Sequence, residues 1–117
     1  MNKREVGSSY EGLAADFLKK QGLRILEMNY RIRSGEIDII AEDNKFLVFV
    51  EVKYRKNSSA GHPEEAVNMN KIRQICKVSD HYRLYKKISP SRACRYDVVA
   101  IEGEDIRWYK NAFSYVR

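Results

Sequence analysis

Apolar positions along this 117-residue chain change period several times, and the changes mark its elements. Tyr10, Leu13, Ala14, Phe17 and Leu18 recur at helical spacing, with Ser8 or Ser9 suited to open the helix and Gly22 to close it. Leu23 to Arg31 reads as a strand carrying Ile25, Leu26, Met28 and Tyr30. After a Ser34-Gly35 turn come a second strand over Glu36–Ala41, a hairpin turn over Glu42–Lys45 and a third strand over Phe46–Tyr54. The polar stretch Lys56–Pro63 reads as a mobile loop, followed by a helical turn near Glu64–Val67. A second helix is expected over Asn70–Lys87, with Ile72, Ile75, Cys76, Ser79 and Tyr82 on its inner side. Then come a connection through Ser89-Pro90, a strand over Cys94–Ile101, a turn over Glu102–Asp105 and a strand over Ile106–Tyr109. Phe113, Tyr115 and Val116 predict that the tail packs.

The order is α-β-β-β-α-β-β. The third strand is apolar on both faces over its first half, which belongs in the middle of a sheet covered on both sides. The expected architecture is a single α/β domain over residues 1–117, three-layered, with a mixed central sheet.

Hydrophobic residues make up 44% of the chain, enough for a packed interior. No apolar run approaches the roughly 20 residues that cross a bilayer, and the charged N-terminus has no apolar segment behind it. Cys76 and Cys94 lack zinc-site spacing and suit reduced thiols in a cytoplasmic protein. The net charge of +6 is unevenly spread. Residues 69–96 hold eight Lys/Arg against Asp80 alone, net +7, whereas residues 1–68 balance at 11 against 11. A clustered basic face points to a polyanion, most often nucleic acid; the bland alternative is a solvated helix face.

Three ionisable residues interrupt the buried strands: Asp38 in Gly35-Glu36-Ile37-Asp38, and Glu51 and Lys53 in Glu51-Val52-Lys53. A charge on a buried strand is costly unless paired or bound to a metal. With the hairpin centred between Asp43 and Asn44, Asp38 lies opposite Phe49 and Glu36 opposite Glu51. That puts Asp38 on one face with Glu51 and Lys53, diagonal to Glu51 and within reach of a shared cation. A loop one residue longer or shorter would put Asp38 on the other face. Mg²⁺ or Mn²⁺ held by Asp38, Glu51 and the Val52 carbonyl would suit phosphodiester hydrolysis, with Lys53 orienting water. The plain alternative is a salt bridge of Asp38 or Glu51 with Lys53.

Together these residues resemble the PD-(D/E)-x-K core of the restriction-endonuclease-like fold, which the archaeal Holliday-junction resolvases share. The whole chain is similar to the small, functionally uncharacterised bacterial YraN family. Glu11, Asn29-Tyr30-Arg31, Gly35-Glu36-Ile37-Asp38, Phe49-Val50-Glu51-Val52-Lys53 with Arg55, Lys71, and Arg95-Tyr96-Asp97-Val98-Val99 carry that resemblance. Ile37 stands where the motif's name has proline. The resemblance implies a metal-dependent endonuclease acting on DNA rather than RNA, with branched DNA a candidate substrate, Asp38 and Glu51 as ligands, Lys53 as the catalytic lysine and Glu11 reaching in from the first helix. A non-catalytic nucleic-acid-binding module on the same fold is the alternative.

Glu11 also fits a capping box on Ser8. Glu36, opposite Glu51, would need a cation between them. Arg31, Arg33, Tyr54, Arg55, Lys71 and Gln74 are candidate contacts to nucleic acid, through phosphate clamping and base stacking. Asp97 suits an ion pair with Arg95, His62 a loop, His81 a helix surface, and Trp108 the core. A homodimer presenting two sites would suit a branched substrate.

Overall fold

The computed structural model describes residues 3–55 and 67–117, with side chains of the first helix from Tyr10 onward. The elements are α1 (Lys3–Lys20), β1 (Arg24–Ile32), β2 (Gly35–Asp43), β3 (Phe46–Arg55), α2 (Met69–Tyr85), β4 (Cys94–Glu102) and β5 (Asp105–Phe113). The expected order holds. The loop expected over 56–63 and most of the helical turn expected near 64–67 lie outside the described residues.

The sheet runs β1-β2-β3-β4-β5, with every pair antiparallel except β3 and β4, which α2 connects in parallel. The central strand β3 is buried from Leu47 through Glu51. The helices take opposite faces. Ala14, Ala15 and Leu18 of α1 pack on Ile39, Ala41, Val48, Val50, Val99 and Ile101. Ile75, Cys76, Val78 and Tyr82 of α2 pack on Ile37, Ile40, Leu47, Phe49 and Tyr96. Cys76 and Cys94 are free thiols.

α1 begins at Lys3 rather than at Ser8 or Ser9, so the capping box on Ser8 does not form and Glu11 lies inside the helix. At the other end Leu23 N–H donates to Leu18 O and Gly22 N–H to Lys19 O, both at 3.0 Å, while Gly22 takes φ 97°. This left-handed glycine cap turns the chain directly into β1 and packs Leu23 beside Leu18.

The β2–β3 hairpin turns one residue later than expected. Asp43 pairs with Phe46, leaving a two-residue turn at Asn44 and Lys45, with Asn44 at φ 55°. Asparagine tolerates that left-handed conformation. The register is therefore displaced by two residues: Ile40, not Asp38, faces Phe49. Pairing of β2 with β3 stops at Ile39↔Val50, so neither Asp38 nor Glu36 has a partner on β3 and the expected Glu36–Glu51 pair does not arise. Because the displacement is even, the residues that do pair, 39–43 with 46–50, keep their expected faces.

β5 continues to Phe113 through a register shift, with Asn111 at φ 53°. The tail packs as expected: Tyr115 Oη donates to Asp80 Oδ2 at 2.7 Å and Val116 joins the α2-face cluster. The irregularity serves Asp97, which is 0% exposed. Its carboxylate accepts from Arg95 Nε and Nη2, Trp108 Nε1 and Asn111 N–H, all at 2.9 Å. Arg95 also donates to Asp43 Oδ2 at 2.9 Å, which joins the hairpin to β4.

Four of the eight basic residues of segment 69–96 are drawn into ion pairs. Lys71, Lys86, Arg92 and Arg95 form ion pairs with Glu51, Glu27, Glu42 and Asp43, all carboxylates of the charge-balanced first part of the chain. Replacing Asp97 by Ala should lower the unfolding free energy by about 3–5 kcal/mol, because it leaves the Arg95 guanidinium buried and half-paired. Urea denaturation of the variant against the wild type measures this.

Candidate active site

The pairing of β2 with β3 ends at Ile39↔Val50, although both strands run on. Beyond that pair β2 stays with β1 through Tyr30↔Ile37, Arg31↔Glu36 and Ile32↔Gly35, while β3 stays with β4 to Arg55. The sheet opens into a fork at this end. Alternation in β2 fails at the same point: Ile37 and Ile40, three residues apart, belong to one apolar cluster. Asn29, the β1 residue between the pairs Met28↔Ile39 and Tyr30↔Ile37, takes φ 54°. Asp38 sits in this irregular stretch.

Val52 N–H points into the fork and donates to Asp38 Oδ2 at 2.7 Å. A side chain thus takes the place of the missing strand partner. The Val52 carbonyl points to the same side, as the N–H and C=O of one strand residue do. Glu51 and Lys53 project from β3 toward the α2 face. Glu51 Oε1 lies 3.6 Å from Lys53 Nζ and 3.7 Å from Lys71 Nζ. The Glu51–Lys53 salt bridge, the plain alternative to a metal site, is present, with Lys71 of α2 as a second cation. Glu51 Oε2 is buried and finds no hydrogen-bond partner among the described residues.

Glu11 reaches the fork from α1, hydrogen-bonding the side chains of both Asp38 and Asn29. Burial, then the Asp38 charge, push Glu11 up to about 7. Burial foremost and the Asp38 charge also push Glu51 up to about 7, against the pull of Lys71 and Lys53. Asp38 itself is raised, chiefly by burial, although the Val52 N–H opposes the shift. Lone ammonium groups near 3.6 Å do not compensate the burial of three neighbouring carboxyls.

Among the described residues no three His, Cys, Asp or Glu side chains form a ready-made metal cage. The donors present at the fork are oxygens: Glu51 Oε2, the Asp38 carboxylate and the Val52 carbonyl. Such a set fits Mg²⁺ or Mn²⁺, which retain several waters, and does not fit zinc.

On the α2 side the site adjoins a cleft of about 340 Å³ lined by Arg31, Arg33, Gly35, Glu36, Lys71 and Gln74. Four of the expected nucleic-acid contacts meet here. Arg31 Nη2 bonds Glu36 Oε2 at 3.0 Å, and Gln74 Nε2 donates to Ser34 O at 2.9 Å. Glu36 therefore serves Arg31, and Gln74 braces the β1–β2 turn. A Cβ on Gly35, at φ 154°, would lie 2.5 Å from Gln74 Cγ, so glycine permits that approach. Tyr54 and Arg55 do not join the cleft lining. Tyr54 lies on the α1 face and stacks on Tyr10, and Arg55 ends β3, its carbonyl accepting from Gly103 N–H at 3.1 Å. His81, on the exposed surface of α2, accepts from or donates to Tyr30 Oη at 2.7 Å. Asn29 was part of the YraN resemblance but no strand pattern marks it as a site residue; its left-handed backbone and its bond to Glu11 do.

Residues 10–101 match the model of an uncharacterised protein family, UPF0102. The chain belongs to this family. It is 50% identical over 114 residues to a UPF0102 protein of Lachnoclostridium phytofermentans, covering 97% of each chain. UPF0102 proteins of Fusobacterium nucleatum (43% over 111 residues, 95% of this chain and 92% of the relative) and Carboxydothermus hydrogenoformans (42% over 119 residues, 99% and 98%) are similar along nearly their whole lengths. The family match covers every strand except β5 and includes Glu11, Asp38, Glu51 and Lys53. The YraN likeness read from the sequence is this family. No helix among the described residues is long and apolar enough to cross a membrane.

The raised carboxyls give the metal-free protein a characteristic pH response. Glu11 and Glu51 bind protons more tightly folded than unfolded, so their contribution to stability is complete below about 4.5 and is lost as pH rises through about 7. Thermal melting in chelator across that window should therefore show a slope that Glu51→Gln reduces.

Proposed function

We propose that this UPF0102 protein is a metal-dependent endonuclease of the PD-(D/E)-x-K type, hydrolysing phosphodiester bonds in DNA. The observation that carries the reading is the orphaned Glu51 Oε2, buried beside Asp38 at a fork that opens onto a cleft containing Arg31, Arg33 and Lys71. A structural ion network has no use for a buried carboxylate oxygen without a partner. Asp38, Glu51 and the Val52 carbonyl would hold Mg²⁺ or Mn²⁺. Bound there, the ion supplies charge neutralisation at phosphate and a more acidic water. Lys53 Nζ, beside Glu51, orients the attacking water and offsets developing negative charge. Glu11 adds a third carboxyl beside Asp38, and the cleft receives the flanking phosphate. Without a sequence-reading module, backbone and shape contacts dominate binding, consistent with a branched substrate. The restriction-endonuclease-like classification belongs to the same reading, supported by the α-β-β-β-α-β-β order and the mixed sheet. A homodimer would present two such sites to a branch.

One feature favours a second reading, a nucleic-acid-binding module without turnover. Lys53 and Lys71 already flank Glu51, and among the described residues no complete three-side-chain cage exists. Metal linkage separates the two. On the nuclease reading Mg²⁺ or Mn²⁺ raises the melting temperature of the wild type and not of Asp38→Ala. Metal-dependent cutting is sought on single strand, duplex, flap, four-way junction and structured RNA. Lys53→Ala should lower the rate about a hundredfold or more while leaving binding intact. Equal binding by both proteins, with no cutting and no metal-induced shift, supports the module instead.

A further inference from the structure

Tyr10 and Tyr54 form a feature that neither the core nor the hydrolytic residues require. Their rings stack with centroids 3.7 Å apart and planes inclined by 16°. Tyr10 comes from α1, where it packs against the α1-face core. Tyr54 comes from β3 and keeps 38% of its surface exposed. One face of the Tyr54 ring is thus backed by a rigid aromatic partner while the residue remains open to solvent. The two hydroxyls are hydrogen-bonded, which raises Tyr10 above the usual phenol range.

The position of the pair matters as much as its shape. Tyr10 immediately precedes Glu11, and Tyr54 immediately follows Lys53. Consecutive Cα atoms are 3.8 Å apart, so both rings flank residues of the fork. Tyr54 shares the α1 face with Val50 and Val52, whereas Lys71 and the basic cleft lie on the α2 face. The fork lies between them. A strand crossing the open end of the sheet would have phosphates on the cationic side and a base on the aromatic side, with Asp38 and Glu51 under the intervening bond.

We infer that the Tyr10–Tyr54 stack is a platform for an unpaired nucleobase next to the phosphate that the fork acts on. This rests on the nuclease reading and narrows its substrate to strands with an unstacked base at the cut, as in a single strand, flap or branch. A continuous duplex keeps its bases stacked on one another and cannot offer one to the platform. An aromatic ring accepts any base, so the platform selects structure without selecting sequence.

The experiment uses the full chain in chelator, so that binding is read without cutting. The probes are a single-stranded oligonucleotide carrying 2-aminopurine, its flap counterpart and a blunt duplex. Wild type should quench the reporter in the single strand and the flap. Tyr54→Ala should lose that quenching and about tenfold or more in affinity for both, yet bind the duplex as the wild type does. Tyr54→Phe, which keeps the ring, should retain quenching and affinity, which excludes a mere folding defect. If Tyr54→Ala binds single strand like the wild type, or weakens single strand and duplex equally, the platform is overturned and the nuclease reading stands. If the wild type binds none of the probes, both fall together, and that result precedes any substitution.

Discussion

The bond from Val52 N–H to Asp38 Oδ2, at 2.7 Å, is the constraint on which this architecture turns. It lies where the β2–β3 ladder ends, and it lets the ladder end there without leaving a backbone donor unsatisfied. Two helices can then address the gap from opposite faces, Glu11 from α1 and Lys71 from α2. A regular ladder would have filled the space with backbone bonds. The gap is affordable because the rest of β3 is flanked by strands and covered on both faces by large apolar clusters.

Two buried aspartates show how differently this chain treats negative charge. Asp97 receives four hydrogen bonds, two of them from an arginine, and its environment is complete. Asp38 receives one backbone bond and faces two other carboxyls. The first arrangement locks β4, β5 and the hairpin together. The second raises protonation equilibria toward neutrality, which is costly in a fold and useful in a site. Both lie in one sheet, on the two strands that flank β3, so the incomplete environment of Asp38 is not a general deficiency of packing.

Much of this was legible in the sequence because period and burial are local signals. The seven elements and the central position of β3 follow from period and alternation, whereas Asp38 comes beside Glu51 through an irregular stretch of β2 that turns its carboxylate onto Val52 N–H. The exact register was not legible. An Asn44-Lys45 turn and the expected Asp43-Asn44 turn differ by two residues, and both leave the same side chains on the same faces. The start of α1 was misplaced because Ser8 and Ser9 look like caps, although the helix continues to Lys3. The basic segment is legible only as charge along the chain. Linear charge density cannot reveal that Arg92 and Arg95 fold back onto Glu42 and Asp43, more than 45 residues away. The fork itself has no sequence signature beyond the motif residues, since it depends on Asn29 adopting a left-handed backbone and on where a ladder stops.

The cleft and the fork are mechanically one unit. Gln74 ties α2 to the β1–β2 turn through Ser34 O, and Gly35 lets the two approach so closely that any Cβ would strike the Gln74 side chain. Lys71 lies one helical turn before Gln74 and touches Glu51 from the same helix. α2 therefore fixes the basic wall relative to the carboxylates, while β1 supplies Arg31 and, two residues earlier, the Asn29 that holds Glu11. A displacement of the turn would move the arginine wall and, through Asn29, the α1 carboxyl. Precision in this site comes from two secondary-structure elements meeting at one glycine, and a loop could not supply it.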